Sequence, residues 1–263
     1  MKKEKLSFIP ANADAIMSLT SLPVTVVESI PSTNTALSDL IKSGHTDRRI
    51  IAALSQTSGK GRLGRAFFSE HGGIYFSFSF TMPAHRAPHE ARLVTPLAGV
   101  AVTSALTDLY GINAGLKWVN DIIAGGKKLG GILSEALTVG DETHIIVGIG
   151  INAVNTDFPD IATSLSRVTK GVFDASEIIS QTVNGFFCRL PAIADVHTEY
   201  RPRLVHLGAP VIVHRFDGTP DVSAVAVDVN EACELIVRGR DGTLTALSSG
   251  EVSIIIEKNK ANT

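Results

Sequence analysis

The sequence predicts an α/β domain, a mixed sheet with flanking helices, followed by a small C-terminal β-barrel. Strand-like and helix-like apolar spacings interleave through the first two hundred residues. Near residue 208 the period changes to five short β-rich runs separated by turn dipeptides. At 263 residues, 44% hydrophobic and 19% charged, the chain can build one large domain plus a small one. The domains expected are residues 1–208 and 209–263.

Each element has a local reason. VTVVESI (24–30) is strand-like, and Ser32 or Thr33 can cap a helix that buries Ala36, Leu37, Leu40 and Ile41 and stops at Gly44. RIIAAL (49–54) is a β-rich run entering a glycine loop. IYFSFSF (74–80) alternates apolar and small polar residues, as a strand with one buried face would. Helical spacing runs over 91–110, with Pro96 either in the first turn or kinking the helix, a strand fits 116–118, and GGKK (125–128) reads as a turn. HIIVGIGINAV (144–154) is apolar throughout, as a central strand buried on both faces would be. Asp174 and Glu177 have capping-box spacing for a helix that reaches Leu190, breaks at Pro191 and resumes to about Leu207. The runs VIVHRF, VSAVAVDV, CELIVRG, LTALS and VSIIIE come next, with turn signals at Asp217-Gly218, Asn230-Glu231 and Asp241-Gly242.

Composition excludes some functions. A formal net charge of −2 argues against chain-wide nucleic-acid or membrane-surface binding but leaves room for a local basic loop. Cys188 and Cys233 are far apart in apolar surroundings and read as two reduced, buried thiols. The start MKKEK has the look of a signal-peptide head, but Pro10, Asn12 and Asp14 break up the apolar segment that an export signal would need after it. No apolar run approaches the roughly 20 residues of a membrane helix, and a cytoplasmic location is the expectation.

The segment LSQTSGKGRLGRAFF (54–68) spaces Gly59, Gly61 and Gly64 as G-x-G-x-x-G. A dinucleotide loop of that spacing opens a helix, whereas here a strand-like run comes after it. The H-R-D and D-F-G segments of kinases are missing, and so is a P-loop. A solvated basic loop would be the plain reading if the segment stood alone. A second segment, LKWVNDIIAGGKKLGGILSEA (116–136), adds Trp118, Asn120-Asp121, Lys127-Lys128 and Gly130-Gly131. Singly these are a core residue, a turn and a hairpin tip. Together with Arg62 and Ser32-Thr33-Asn34 they supply cations, a metal-type carboxylate and close-approach glycines, an inventory suited to condensing a carboxylate with a nucleotide phosphate.

Five pieces, Ser32-Thr33-Asn34, GKGRLGR (59–65), KWVND (117–121), KKLGGIL (127–133) and GIGIN (148–152), make the chain resemble the biotin–protein ligases. They stand in the family's order at similar separations over residues 24–155, and the terminal barrel is similar to the family's small SH3-like domain. The resemblance implies that biotin's carboxylate attacks the α-phosphate of ATP to give biotinyl-adenylate. A lysine of a biotin carboxyl carrier domain then takes the biotin.

On that resemblance, Arg62 and Lys128 are the catalytic pair, acting as fixed charges where negative charge grows. Ser32, Thr33, Asn34, Gln56, Lys60, Gly61, Gly131 and Leu133 join them around biotin, hydroxyls and amides suiting a neutral ureido ring. A helix-cap role for Ser32 or Thr33 is compatible with this. Arg62, Arg65, Phe67, Asn120 and Asn152 fall on the nucleotide, and Asp121 on Mg²⁺ brought by ATP.

Three positions depart from the family's pattern. Lys60 stands for an arginine, Val119 for the proline of KWPND, and Phe67 for a tryptophan. These bear on how tightly adenylate is held. About two dozen residues precede Val24, too few for the winged helix of the family's repressors, so the form lacking DNA-binding activity is expected. Membrane binding is not expected, and a homodimer is open. Lipoate ligase, which shares the fold, is the alternative, and the arginine-bearing loop favours biotin over it.

Overall fold

A computed structural model describes residues 7–155, 158–216, 218–248 and 252–256. In chain order the first elements are β1 (Ser7–Ile9), α1 (Ala13–Thr20), β2 (Val24–Ile30), α2 (Thr33–Lys42), β3 (Arg49–Gln56) and β4 (Gly73–Pro83). A short α3 (Ala87–Glu90) leads into α4 (Val94–Tyr110), followed by β5 (Gly115–Lys117), β6 (Asp121–Ala124), β7 (Lys127–Val139) and β8 (Glu142–Asn152). Then come α5 (Leu165–Val168), β9 (Val172–Asp174), α6 (Ala175–Arg189) and α7 (Val196–Tyr200). The last strands are β10 (Pro210–Arg215), β11 (Val222–Val229), β12 (Leu235–Arg238), β13 (Leu244–Leu247) and β14 (Val252–Ile256).

Seven strands form one mixed sheet in the order β2-β3-β4-β8-β7-β6-β5. Only β2 and β3 run parallel; the other neighbours are antiparallel. Helix α2 covers one face with a small apolar cluster, Leu37 and Ile41 against Ile51 and Ile146. On the other face α4 packs between the sheet and α6, within the main core. Ser32 caps α2, and the Asp174 carboxylate caps α6 by accepting from the amides of Ser176 and Glu177.

The strand over 74–80 departs from the expected single buried face. β4 is central, and Ser77 and Ser79 are as buried as the phenylalanines between them. Ser77 can be buried because its hydroxyl is hydrogen-bonded to Thr33 and Asn34. At 125–128 the turn itself is Gly125-Gly126, both at positive φ, and the two lysines already belong to β7. Cys188, expected to be buried, is exposed on α6; Cys233 is buried.

The helical path Ala87–Tyr110, 24 residues containing an 18-residue window of mean hydropathy 1.3, is long and apolar enough to cross a membrane by length and composition. The expectation that nothing in the chain approaches that length therefore fails. In this fold 67% of that apolar window is buried inside the protein.

The C-terminal barrel is also a correction. All five expected strands form, but as an open antiparallel sheet ordered β13-β12-β11-β10-β14. The edge strands β13 and β14 do not pair with each other among the described residues, so the sheet does not close. Closure is one way for a sheet to hide its apolar face; here another surface does so. Val211, Val213, Ala226, Leu235 and Val237 are buried in the same core as the α/β domain. Leu244, Thr245 and Ala246 of the four-residue β13 stay exposed. The expected turn residue Asp217 lies outside the described residues, as does MKKEK.

Candidate functional site

A cavity of about 470 Å³ opens where the glycine loop, the N-terminus of α2, the β5–β6 turn and the middle of β7 and β8 meet. Its floor is glycine. A Cβ on Gly150 would strike the Phe67 ring, and one on Gly148 would strike the Asn34 amide. A Cβ on Gly131 would lie 3.4 Å from Phe67 and 3.7 Å from the Lys128 ammonium. These three positions let a ring, an amide and an ammonium settle directly on the sheet. Phe67 is also edge-on to Tyr75, with ring centroids 6.4 Å apart.

One wall is neutral and hydrogen-bonding. Gln56 Oε1 accepts from the Thr33 amide at 2.9 Å, and Gln56 Nε2 donates to Ser69 Oγ at 2.9 Å. Thr33 Oγ1 lies 2.6 Å from Ser77 Oγ, which donates to Asn34 Oδ1 at 2.6 Å. Asn34 Nδ2 donates to Glu135 at 2.6 Å and to the Leu133 carbonyl at 3.3 Å.

Another part of the lining is cationic. Lys60, Arg62, Arg65, Lys117 and Lys128 line the cavity against only Asp121 and Asp221. The chain as a whole is slightly acidic, so this excess of positive charge is local and favours anions. Lys128 donates to Asp121 Oδ1 at 2.6 Å, and Arg62 Nη1 approaches Asn120 Oδ1 at 3.5 Å. Burial pulls the Arg62 guanidinium below its ordinary pKa, while the Asp121 charge opposes this. It remains charged, since arginine starts above 12. Burial also lowers Lys117, helped by repulsion from Lys128 and Arg65 and opposed by Asp121.

The loop holding Arg62 is a small hairpin. Lys60 bridges Ala66, and the amides of Gly61 and Phe67 donate to the carbonyls of Arg65 and Gly59. Gly64 sits at φ +72, and Leu63 beside it at φ +59, a conformation that non-glycine residues rarely adopt. Between Ile122 and Ile123 the β6–β7 register shifts by a bulge, so Lys128 pairs with Ile123 and Gly130 with Ile122. Lys128 lines the cavity, and Lys127 is exposed.

Of the residues singled out in the sequence, Ser32, Thr33, Asn34, Gln56, Lys60, Gly61, Arg62, Arg65, Phe67, Asn120, Asp121, Lys128, Gly131 and Leu133 all line this one cavity. Asn152 does not. Its side chain is buried and donates to the Thr163 carbonyl at 2.9 Å. Sequence reasoning missed Gly148 and Gly150, although both lie inside the quoted GIGIN. It also missed Lys117 of KWVND, and Ser77 and Glu135 behind the wall. His214 and Asp221, bonded to each other at 2.6 Å, reach the cavity from the C-terminal sheet without any motif to mark them.

The Biotin/lipoate A/B protein ligase family model matches residues 26–152, and the Biotin protein ligase C terminal domain model matches residues 206–254. The bifunctional ligase/repressor BirA of Bacillus spizizenii is 36% identical over 160 residues, 57% of this chain and 48% of that protein. The chain thus spans about half the length of such relatives. The biotin–[acetyl-CoA-carboxylase] ligase of Mycobacterium tuberculosis is 29% identical over 86% of this chain and 87% of its own. Among solved structures, the biotin protein ligase of Aquifex aeolicus in complex with biotin and ATP aligns with TM-score 0.75 and 26% identity, covering 89% of this chain and 99% of that one. With both domain models matched in order, the chain belongs to the biotin/lipoate A/B protein ligase family and carries the C-terminal domain of the biotin protein ligases.

Proposed function

We propose that this protein joins biotin to a carrier protein at the expense of ATP. A biotin carboxylate oxygen attacks the α-phosphorus, the bond to the leaving pyrophosphate breaks, and biotinyl-adenylate forms. The amine of an acceptor lysine then attacks the mixed-anhydride carbonyl, AMP leaves, and the amine proton passes to solvent. The acceptor is the biotin carboxyl carrier domain of a biotin-dependent carboxylase.

The observation that carries this reading is the pairing of a neutral hydroxyl–amide wall with a cationic wall in one cavity. The neutral side suits the ureido ring of biotin, which offers donors and an acceptor. The cationic side draws two anions together against their mutual repulsion and holds charge where it develops in the transition state. Lys128 and Arg62 supply it as fixed charges and need lose no proton.

Mg²⁺ enters with the nucleotide as part of the substrate. No group of three or more His, Cys, Asp or Glu able to hold a metal occurs among the described residues. Asp121, on the cavity lining and bonded through its Oδ1 to Lys128, is the carboxylate that would face a nucleotide-borne ion.

Pyrophosphate exchange tests the reading. Biotin with Mg-ATP should drive it, and a carboxyl carrier domain should become labelled on lysine. Exchange with lipoate but none with biotin would sink the proposal.

A further inference from the structure

The polar chain behind the neutral wall has a direction. Asn34 Nδ2 faces two groups that accept, Glu135 Oε2 at 2.6 Å and the Leu133 carbonyl at 3.3 Å, so the amide cannot turn over. Its Oδ1 therefore faces Ser77. An amide oxygen cannot donate, so the single Ser77 proton is committed to it, across 2.6 Å.

Ser77 Oγ is also 2.6 Å from Thr33 Oγ1, a distance that requires a proton between the two oxygens. Ser77 has none left, so Thr33 provides it. The other acceptor beside that hydroxyl, Gln56 Oε1 at 3.2 Å, also lies within the protein. That oxygen is farther away and already accepts from the Thr33 amide at 2.9 Å, so Ser77 is the partner that holds the Thr33 proton inward and turns a lone pair to the cavity. Ser77 is fully buried and Asn34 nearly so, which removes bulk water as a competing partner.

We propose that Glu135 and Ser77 are positioning residues that make the Thr33 hydroxyl an acceptor toward the ligand. The site then selects a ring N–H over a ring oxygen at that point. Asn34, with both amide protons used internally, belongs to the same orienting chain. This inference rests on the biotin reading, because the ureido ring is what places an N–H there.

The experiment compares Kd for biotin and for its two analogues in which one ring N–H is replaced by oxygen. Calorimetry on the wild type should show a preference for biotin over at least one analogue of about a hundredfold or more, since a site built around a hydrogen bond rejects a ligand lacking it. Ser77→Ala and Glu135→Leu free the chain, and each should shrink that ratio by about fivefold or more. Glu135→Gln, whose carbonyl oxygen still accepts from Asn34, should keep the ratio within about twofold. A merely loosened fold would weaken both ligands together and leave the ratio unchanged. An unchanged ratio in either Ser77→Ala or Glu135→Leu, in a wild type that does bind biotin, overturns this inference alone. A wild type that binds no biotin sinks the biotin reading and this inference with it.

Discussion

The Lys128 ammonium lies 2.6 Å from Asp121 Oδ1, joining the strand on one side of a glycine turn to the strand on the other. Lys128 and Asp121 leave about a third and a fifth of their side chains accessible, so the pair sits at the cavity wall within reach of ligand. An arriving phosphate or carboxylate competes with Asp121 for the same cation.

Lys128 and its neighbour should separate cleanly in mutation. Losing a charge-assisted contact costs about 1.5–3 kcal/mol, and more where charge develops in the transition state. Lys128→Ala should slow biotin-dependent pyrophosphate exchange by roughly tenfold to several hundredfold. Lys127, exposed on the other face, should change the rate by about twofold at most. Equal losses at the two positions would mean that Lys128 acts only through bulk field.

The glycine loop should order on ligand binding. Its backbone bonds are few, Leu63 and Gly64 hold positive φ, and residues 63–66 are exposed. Hydrogen exchange at residues 59–65 should slow on adding biotin with ATP. Arg62→Ala should both slow adenylate formation and hasten its loss, read from single-turnover and chase kinetics. Equal exchange rates with and without ligand would remove the gating role.

Acid sensitivity should trace in part to His206. The ring is fully buried, neither nitrogen has a partner, and burial, aided by the Lys117 charge, pushes its pKa down to about 4. Between about 4 and the unfolded value near 6.5 the unfolded chain binds the extra proton, so stability rises with pH across that window. It is lost as pH falls from 6.5 toward 4, by roughly 3 kcal/mol if no other change intervenes. Urea unfolding across pH 4.5–7 should show a flatter slope for His206→Leu than for the wild type. Parallel slopes would refute it.

The Trp118 indole donates to the Cys233 carbonyl at 2.9 Å, tying the cavity's turn to the C-terminal sheet. Trp118→Phe leaves that buried carbonyl unpaired and should cost about 1–3 kcal/mol in urea unfolding. A change within about 0.5 kcal/mol, as expected of a surface site, would count against that tie.

Local chemistry decides what acts over a few residues, and that much was legible in the sequence alone. Periodicity marked most of the strands and helices, though not β1, α1 or β9; the Ser32 and Asp174 side chains marked two helix starts, and motif order marked the residues that share a cavity. Asn152 escaped this reading because its neighbour in the motif says nothing about which way its side chain turns; Thr163, eleven residues on, decides that. Ser77 looked like the polar face of a half-buried strand, and only the fold brings Thr33 and Asn34 onto it. Likewise, five apolar strands do not reveal whether they close on themselves. The tertiary structure left that sheet open because the α/β domain already covers its apolar face, and the same docking carries His214 and Asp221 to a cavity built from residues a hundred positions away.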